Sequence, residues 1–98
     1  MIKGFDIALN ELERSVEILK VLAHPMRLQI VHQLVKERSL NVSALQQILN
    51  LPQSTVSQHL HRMRNHKVLS YERKGTEVFY RVDDAQVKRT VTILMDRE

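Results

Sequence analysis

The sequence predicts a mainly α-helical domain carrying one β-hairpin, with its elements in the order ααααββα over residues 1–98. Three observations carry this reading. Only 2 glycines and 2 prolines punctuate the 98 residues, too few for a many-stranded barrel or sandwich, which needs turn residues about every ten positions. Apolar residues recur three and four positions apart over most of the chain, which is the period of a helix. One stretch, residues 68–82, instead holds two β-rich runs around Lys74-Gly75-Thr76.

Residues 5–22 place Phe5, Leu9, Leu12, Val16 and Leu19 at spacings of 4, 3, 4 and 3, a seam along one helix face. Ile7, Ile18 and Val21 lie off the seam, so this helix has two faces to bury: one against its own core, the other against that core or a second chain. His24-Pro25 breaks the helix and starts the next, because proline at a first helical position loses no needed hydrogen bond. Leu28, Val31, Leu34 and Val35 stripe this second helix, which ends near Lys36-Glu37-Arg38. Asn41 or Ser43 can cap a short third helix through Ala44 to Leu49, stopped at Asn50-Leu51-Pro52. A fourth helix over residues 53–66 has Val56, Leu60 and Met63 on one side. At about 100° per residue, its opposite side carries Ser54, Gln58, His61 and Asn65, flanked by Thr55, Ser57 and Arg62. The hairpin follows over residues 68–82, and a last helix from about Asp84 to Met95 has Val87, Val91 and Leu94 on one stripe.

Composition narrows the function. At 98 residues, 43% hydrophobic and 27% charged, the chain has the makeup of one folded domain and excludes a two-domain enzyme or a disordered tail. The absence of cysteine removes disulfides, thiolate metal sites and thiol redox sensing together. With no signal-peptide core at the N-terminus and no run near the ~18 apolar residues of a membrane span, the expected location is the cytoplasm. The net charge of +4 is unevenly placed. Residues 1–51 hold 6 basic and 5 acidic groups, residues 52–81 hold 6 and 2, and residues 82–98 hold 3 and 4. A basic middle segment on a balanced chain suggests a surface that meets polyanions.

Two short helices joined by a tight connection, the second with a polar outer face, make a helix-turn-helix, and the basic-tipped hairpin directly after it makes the helix-turn-helix winged. The chemistry fits DNA. An α-helix enters the major groove, Gln pairs bidentately with adenine, Ser and Thr bond bases or phosphates, and the Thr55 methyl can pack on a thymine methyl. Arg62, Arg64, Lys67, Arg73, Lys74 and Arg81 would grip phosphates without reading sequence, with Thr76 at the hairpin tip beside them. An ordinary solvated helix face carries Glu and Lys pairs, and none stands between Gln53 and His61.

The stretch from Leu22 through His24-Pro25-Met26-Arg27-Leu28 to Val31, the stretch Leu51-Pro52-Gln53-Ser54-Thr55-Val56-Ser57-Gln58-His59-Leu60, and the hairpin from Arg73 to Tyr80 together resemble the ArsR/SmtB family of winged helix-turn-helix repressors. Within the family, the metal-independent PagR-type members are the most similar, and the resemblance spans nearly the whole chain. It implies a homodimer through the first and last helices, with Phe5, Leu9, Leu12, Val16, Val87, Val91 and Leu94 at the interface. Two recognition helices would then enter successive major grooves of a pseudo-palindromic operator. By position, the family's DNA-contacting residues correspond to Gln53, Ser54, Ser57 and Gln58, to which the helical wheel adds His61 and the thymine-methyl contact adds Thr55. His59 occupies a family histidine position but lies about 60° from the centre of the apolar stripe, where a half-buried structural role fits at least as well.

The family's sensors are another matter. One needs paired cysteines in the third helix, where this chain has Val42-Ser43-Ala44-Leu45. The other needs an Asp-x-His near the start of the last helix and a His-x-x-His/Glu near its end; here Asp84 is kept, Gln86 takes the histidine's place, and the helix runs to Glu98 without a later histidine. No metal and no cofactor are therefore expected. Catalysis is not expected either, since Gly4 and Gly75 make no phosphate loop and no thiol is present. The expectation is a homodimeric, metal-independent transcriptional repressor on double-stranded DNA. Its rivals are a winged-helix module that binds protein, with weak DNA binding, and a ligand-responsive repressor of the same fold.

Overall fold

The computed structural model describes residues 8–96. The order is α1 (Leu9–Leu22), α2 (Pro25–Glu37), β1 (Leu40–Asn41), α3 (Val42–Leu49), α4 (Gln53–Asn65), β2 (Ser70–Lys74), β3 (Glu77–Arg81) and α5 (Ala85–Met95). Three of the five helices start on a side chain that accepts from an N–H the helix leaves open. His24 Nδ1 accepts from the Met26 N–H at 3.1 Å ahead of α2, with Pro25 in the first turn. Asn41 Oδ1 accepts from Ala44 at 2.8 Å for α3, and Asp84 Oδ1 from Gln86 and Val87 at 2.8 and 3.2 Å for α5. Asn50 adopts the left-handed conformation (φ 54°, ψ 50°) that ends α3, a role its short polar side chain tolerates well.

The core joins one stripe from every helix. Ile18, Val21 and Leu22 of α1 meet Ile30, Val31 and Leu34 of α2, Leu45 of α3, Val56, Leu60 and Met63 of α4, and Val87 and Val91 of α5. Val68, Leu69 and Val82 close it at the root of the hairpin. In β2 and β3, Tyr71 lies opposite Tyr80 and Lys74 opposite Glu77. That register leaves Gly75-Thr76 as a two-residue turn, and Gly75 supplies its positive φ of 63°.

The structure differs from the sequence reading in two places. The first is β1, which pairs Leu40 with Tyr80 and Asn41 with Phe79 and turns the hairpin into a three-stranded antiparallel sheet ordered β1-β3-β2. Two residues are too few to display a strand period. The second concerns Val87 and Val91, expected at a dimer interface. Both are fully buried in this chain's own core and offer no surface to another copy. Leu94 shares their stripe but emerges at 54% exposure near the end of α5. Helix α1 has the two faces its spacing predicts: the off-seam Ile18 and Val21, with Leu22, are buried, while Leu9, Val16 and Leu19 of the seam are 72%, 45% and 60% exposed and Leu12 is half-buried. Phe5, the first seam residue, lies outside the described residues.

Candidate nucleic-acid interface

The α4 helix is amphipathic in the sense a groove-binding helix requires. Val56, Leu60 and Met63 anchor its inner side at 0% exposure. Gln53, Ser54, Gln58, His61, Arg62 and Asn65 are exposed, and Thr55 and Ser57 are half-buried along the flanks. Pro52 precedes α4 and no side chain caps it, so its leading N–H groups lack a side-chain acceptor. A helix N-terminus in that state attracts phosphate oxygens.

Four cationic or titratable side chains gather where α2 meets α4. The His24 and His59 rings lie 4.8 Å apart, tilted by 58°. Burial, followed by the nearby His24, Arg27 and Arg62, holds the His59 imidazole below the usual histidine pKa. Burial and the neighbouring Arg62 likewise lower the Arg27 pKa, and Arg27 Nε donates to the Val21 carbonyl at 2.6 Å. His59 thus sits half-buried between the helices, and the exposed Arg62 is left on the α4 flank.

The other basic residues divide by what they touch. Arg73, Lys74 and Thr76 are exposed on the hairpin. Lys74 Nζ is 3.9 Å from Glu72 Oε1 and 5.3 Å from the Phe79 ring centroid, contacts weak enough at that exposure to leave it available. Arg64 lies with its guanidinium 4.7 Å over the Tyr71 ring and Nη2 3.4 Å from His61 Nδ1, tying the end of α4 to the hairpin. Lys67 is exposed with φ 60°, in the turn between α4 and β2. Arg81 is turned to acids, with Nε donating to Asp83 Oδ1 at 3.0 Å and Nη1 3.8 Å from Glu72. Ser70 Oγ donates to Asp83 Oδ2 at 2.6 Å, and this bond, together with Arg81, holds the Asp83 carboxyl below its usual pKa.

Residues 22–72 match the sequence pattern of a helix-turn-helix domain family. Transcriptional repressor PagR of Bacillus anthracis is 51% identical over 83 residues, spanning 85% of this chain and 83% of that protein. Its crystal structure superposes with a TM-score of 0.84 at 48% identity, covering 89% of this chain and 99% of that one. HTH-type transcriptional repressor SmtB of Mycobacterium tuberculosis is 40% identical over 80 residues, 82% of this chain and 58% of its own length. This chain belongs to the ArsR/SmtB family.

A further member, the transcriptional activator HlyU of Vibrio cholerae, is 33% identical over 97 residues, 95% of this chain and 89% of its own. These ArsR/SmtB relatives are transcriptional regulators, so this member is a DNA-binding transcriptional repressor and not an enzyme. Among its described residues, no helix is long and apolar enough to cross a membrane.

Sequence reasoning missed two arginines around this ArsR/SmtB interface. Arg27 of α2 donates to the Val21 carbonyl near Arg62 of α4, and Arg14 of α1 bonds the carbonyls of His66 and Lys67 at 2.6 and 2.7 Å. Both lie outside the basic segment 52–81, so charge accounting passed over them.

Proposed function

We propose that two copies of this chain pair through their first and last helices and repress transcription by binding a pseudo-palindromic operator. In this reading, residues 1–98 act as one unit. Gln53, Ser54, Thr55, Ser57, Gln58 and His61 read base edges, while Arg62, Arg64, Lys67, Arg73, Lys74 and Thr76 hold the backbone. The single supporting observation is the outer face of α4: amide, hydroxyl and imidazole groups, exposed, backed by three fully buried side chains and flanked by arginine. That face offers no Trp, Tyr or Leu anchor of the sort that centres a protein interface, which disfavours the interaction-module reading.

Repression is independent of metal in this proposal. The carboxylate that a family metal site would need at the start of the last helix, Asp84, caps α5 with Oδ1 and faces Arg14 with Oδ2 at 3.7 Å. The protein works in the cytoplasm, beside the DNA.

Selection of bound sequences from a random DNA pool, run with divalent metal and with chelator, tests the proposal. Enrichment of the same palindrome in both arms, with half-sites about 34–36 Å apart, is the expected outcome. Failure to enrich any sequence would refute operator binding, and a palindrome recovered in one arm only would refute metal independence.

A further inference from the structure

Arg14 joins three parts of the molecule that chain order keeps apart: α1, the turn between α4 and the hairpin, and the start of α5. It projects from α1 and donates through Nη1 to the His66 carbonyl at 2.6 Å and through Nη2 to the Lys67 carbonyl at 2.7 Å. The Lys67 carbonyl belongs to the turn that leads from α4 into the hairpin, at a residue with φ 60°. Nη2 also lies 3.7 Å from Asp84 Oδ2, on the residue that caps α5. Glu17, one turn along α1, holds Nη1 at 3.3 Å, and its other oxygen is 3.5 Å from His66 Nδ1.

A helix leaves its last carbonyls without intrahelical donors and carries a partial negative charge at that end. The planar guanidinium can satisfy two successive carbonyls at once, a geometry one ammonium cannot reproduce. At 30% side-chain exposure, Arg14 is sheltered enough for these charge-assisted bonds to hold their geometry. Its carbonyl partners lie 52 and 53 residues away in sequence. One side chain therefore links α1 and the start of α5 to the end of the helix that carries Gln58 and to the root of the hairpin that carries Lys74.

We propose that Arg14 is a positioning residue that fixes the angle between α1 and α4, and thereby sets the half-site spacing the paired protein accepts. This rests on the paired, operator-reading function proposed above. Two linked binding units gain avidity only when both reach their sites together, and the gain disappears when their geometry does not match the span. A rigid joint at Arg14 makes that match strict, and a loose one makes it permissive.

The test compares wild type, Arg14→Ala and Arg14→Lys on three DNAs: the selected operator, the same operator with two base pairs inserted between half-sites, and one isolated half-site. The insertion shifts one half-site by roughly 7 Å and 70°. Wild type should bind the operator about tenfold or more tighter than the inserted version. Both variants should bring the two affinities within about threefold, chiefly by weakening on the operator, with half-site affinity unchanged. Lysine keeps the charge beside Glu17 and Asp84 without the fork, so it should not restore the preference, and it serves as the deciding variant if the alanine form does not fold. Melting and sedimentation of each variant identify general loss of structure, which would lower half-site binding in step with operator binding. Variants that keep the wild-type preference, or that lose half-site binding in parallel, overturn the role given to Arg14. A wild type indifferent to spacing overturns the paired reading itself, and the role of Arg14 with it.

Discussion

Gln58 and Lys74 are both exposed and polar, yet the groups they offer carry different information. An amide with a donor and an acceptor matches the edge of one base, whereas an ammonium on a flexible stem matches any phosphate. Gln58→Ala should cost about 1–3 kcal/mol on the operator and relax preference at one base pair. Lys74→Ala should weaken all sequences alike and flatten the salt dependence by about one unit of slope. Affinities on operator and random DNA, titrated with salt, separate the two, and equal losses for Gln58→Ala on both DNAs would remove its base-reading role. His59 makes a prediction about acid. Burial, with His24, Arg27 and Arg62 close by, holds its folded-state pKa below the ordinary 6.5, so acidification protonates the unfolded chain first. The stability that neutral His59 contributes is present above that value and is lost as the pH falls below it. His59→Gln should therefore narrow the difference in melting temperature between about pH 7.5 and about pH 5.5.

At the scale of elements, the side chains that start helices also connect layers. Asn41 caps α3 through Oδ1 and donates through Nδ2 to Glu77 Oε1 at 2.7 Å, so a single residue starts the helix-turn-helix and holds β3. Asn41→Ala should cost about 1–2 kcal/mol, and Asp84→Ala about 1 kcal/mol, in chemical denaturation at neutral pH. The helices were legible because caps and period agree: His24-Pro25, Val56-Leu60-Met63 and Asp84 each mark a boundary or a buried stripe that the fold retains. What escaped was long-range. Leu40-Asn41 becomes a strand only because Tyr80 and Phe79 arrive beside it. Val87 and Val91 form an apolar stripe that looks the same in sequence whether it meets its own core or another chain. The reach of Arg14 to the carbonyls of His66 and Lys67 leaves no local trace, because a backbone carbonyl is present at every position. The polar face of α4 was legible in full, since 100° per residue fixes which side chains share it.

At the scale of the molecule, exposed apolar side chains collect on the helices proposed to pair. Leu9, Val16 and Leu19 on α1 and Ile93 and Leu94 on α5 stand out, with Ile93 at 78% exposure. Ser15, Ile18 and Leu19 share a concavity with Gln86, Thr90 and Ile93, so the two helices present one continuous surface. Leu19→Asp combined with Ile93→Asp should convert the paired protein to a monomer in sedimentation and abolish its preference for two half-sites over one. The internal core should survive, because neither residue belongs to it. A variant that still sediments as a pair would place the contact elsewhere.

The sheet order β1-β3-β2 leaves β2 as an edge strand, with Ser70 to Lys74 paired on one side only. An open strand edge is a template for another chain's strand, and charged side chains are a common defence against such templating. Glu72, Arg73 and Lys74 stand on that edge. The basic groups that would grip DNA therefore also keep free protein from stacking edge to edge. Neutralising the hairpin tip should shorten the protein's shelf life in concentrated solution as well as weaken its hold on DNA, and bound DNA should restore part of that solubility.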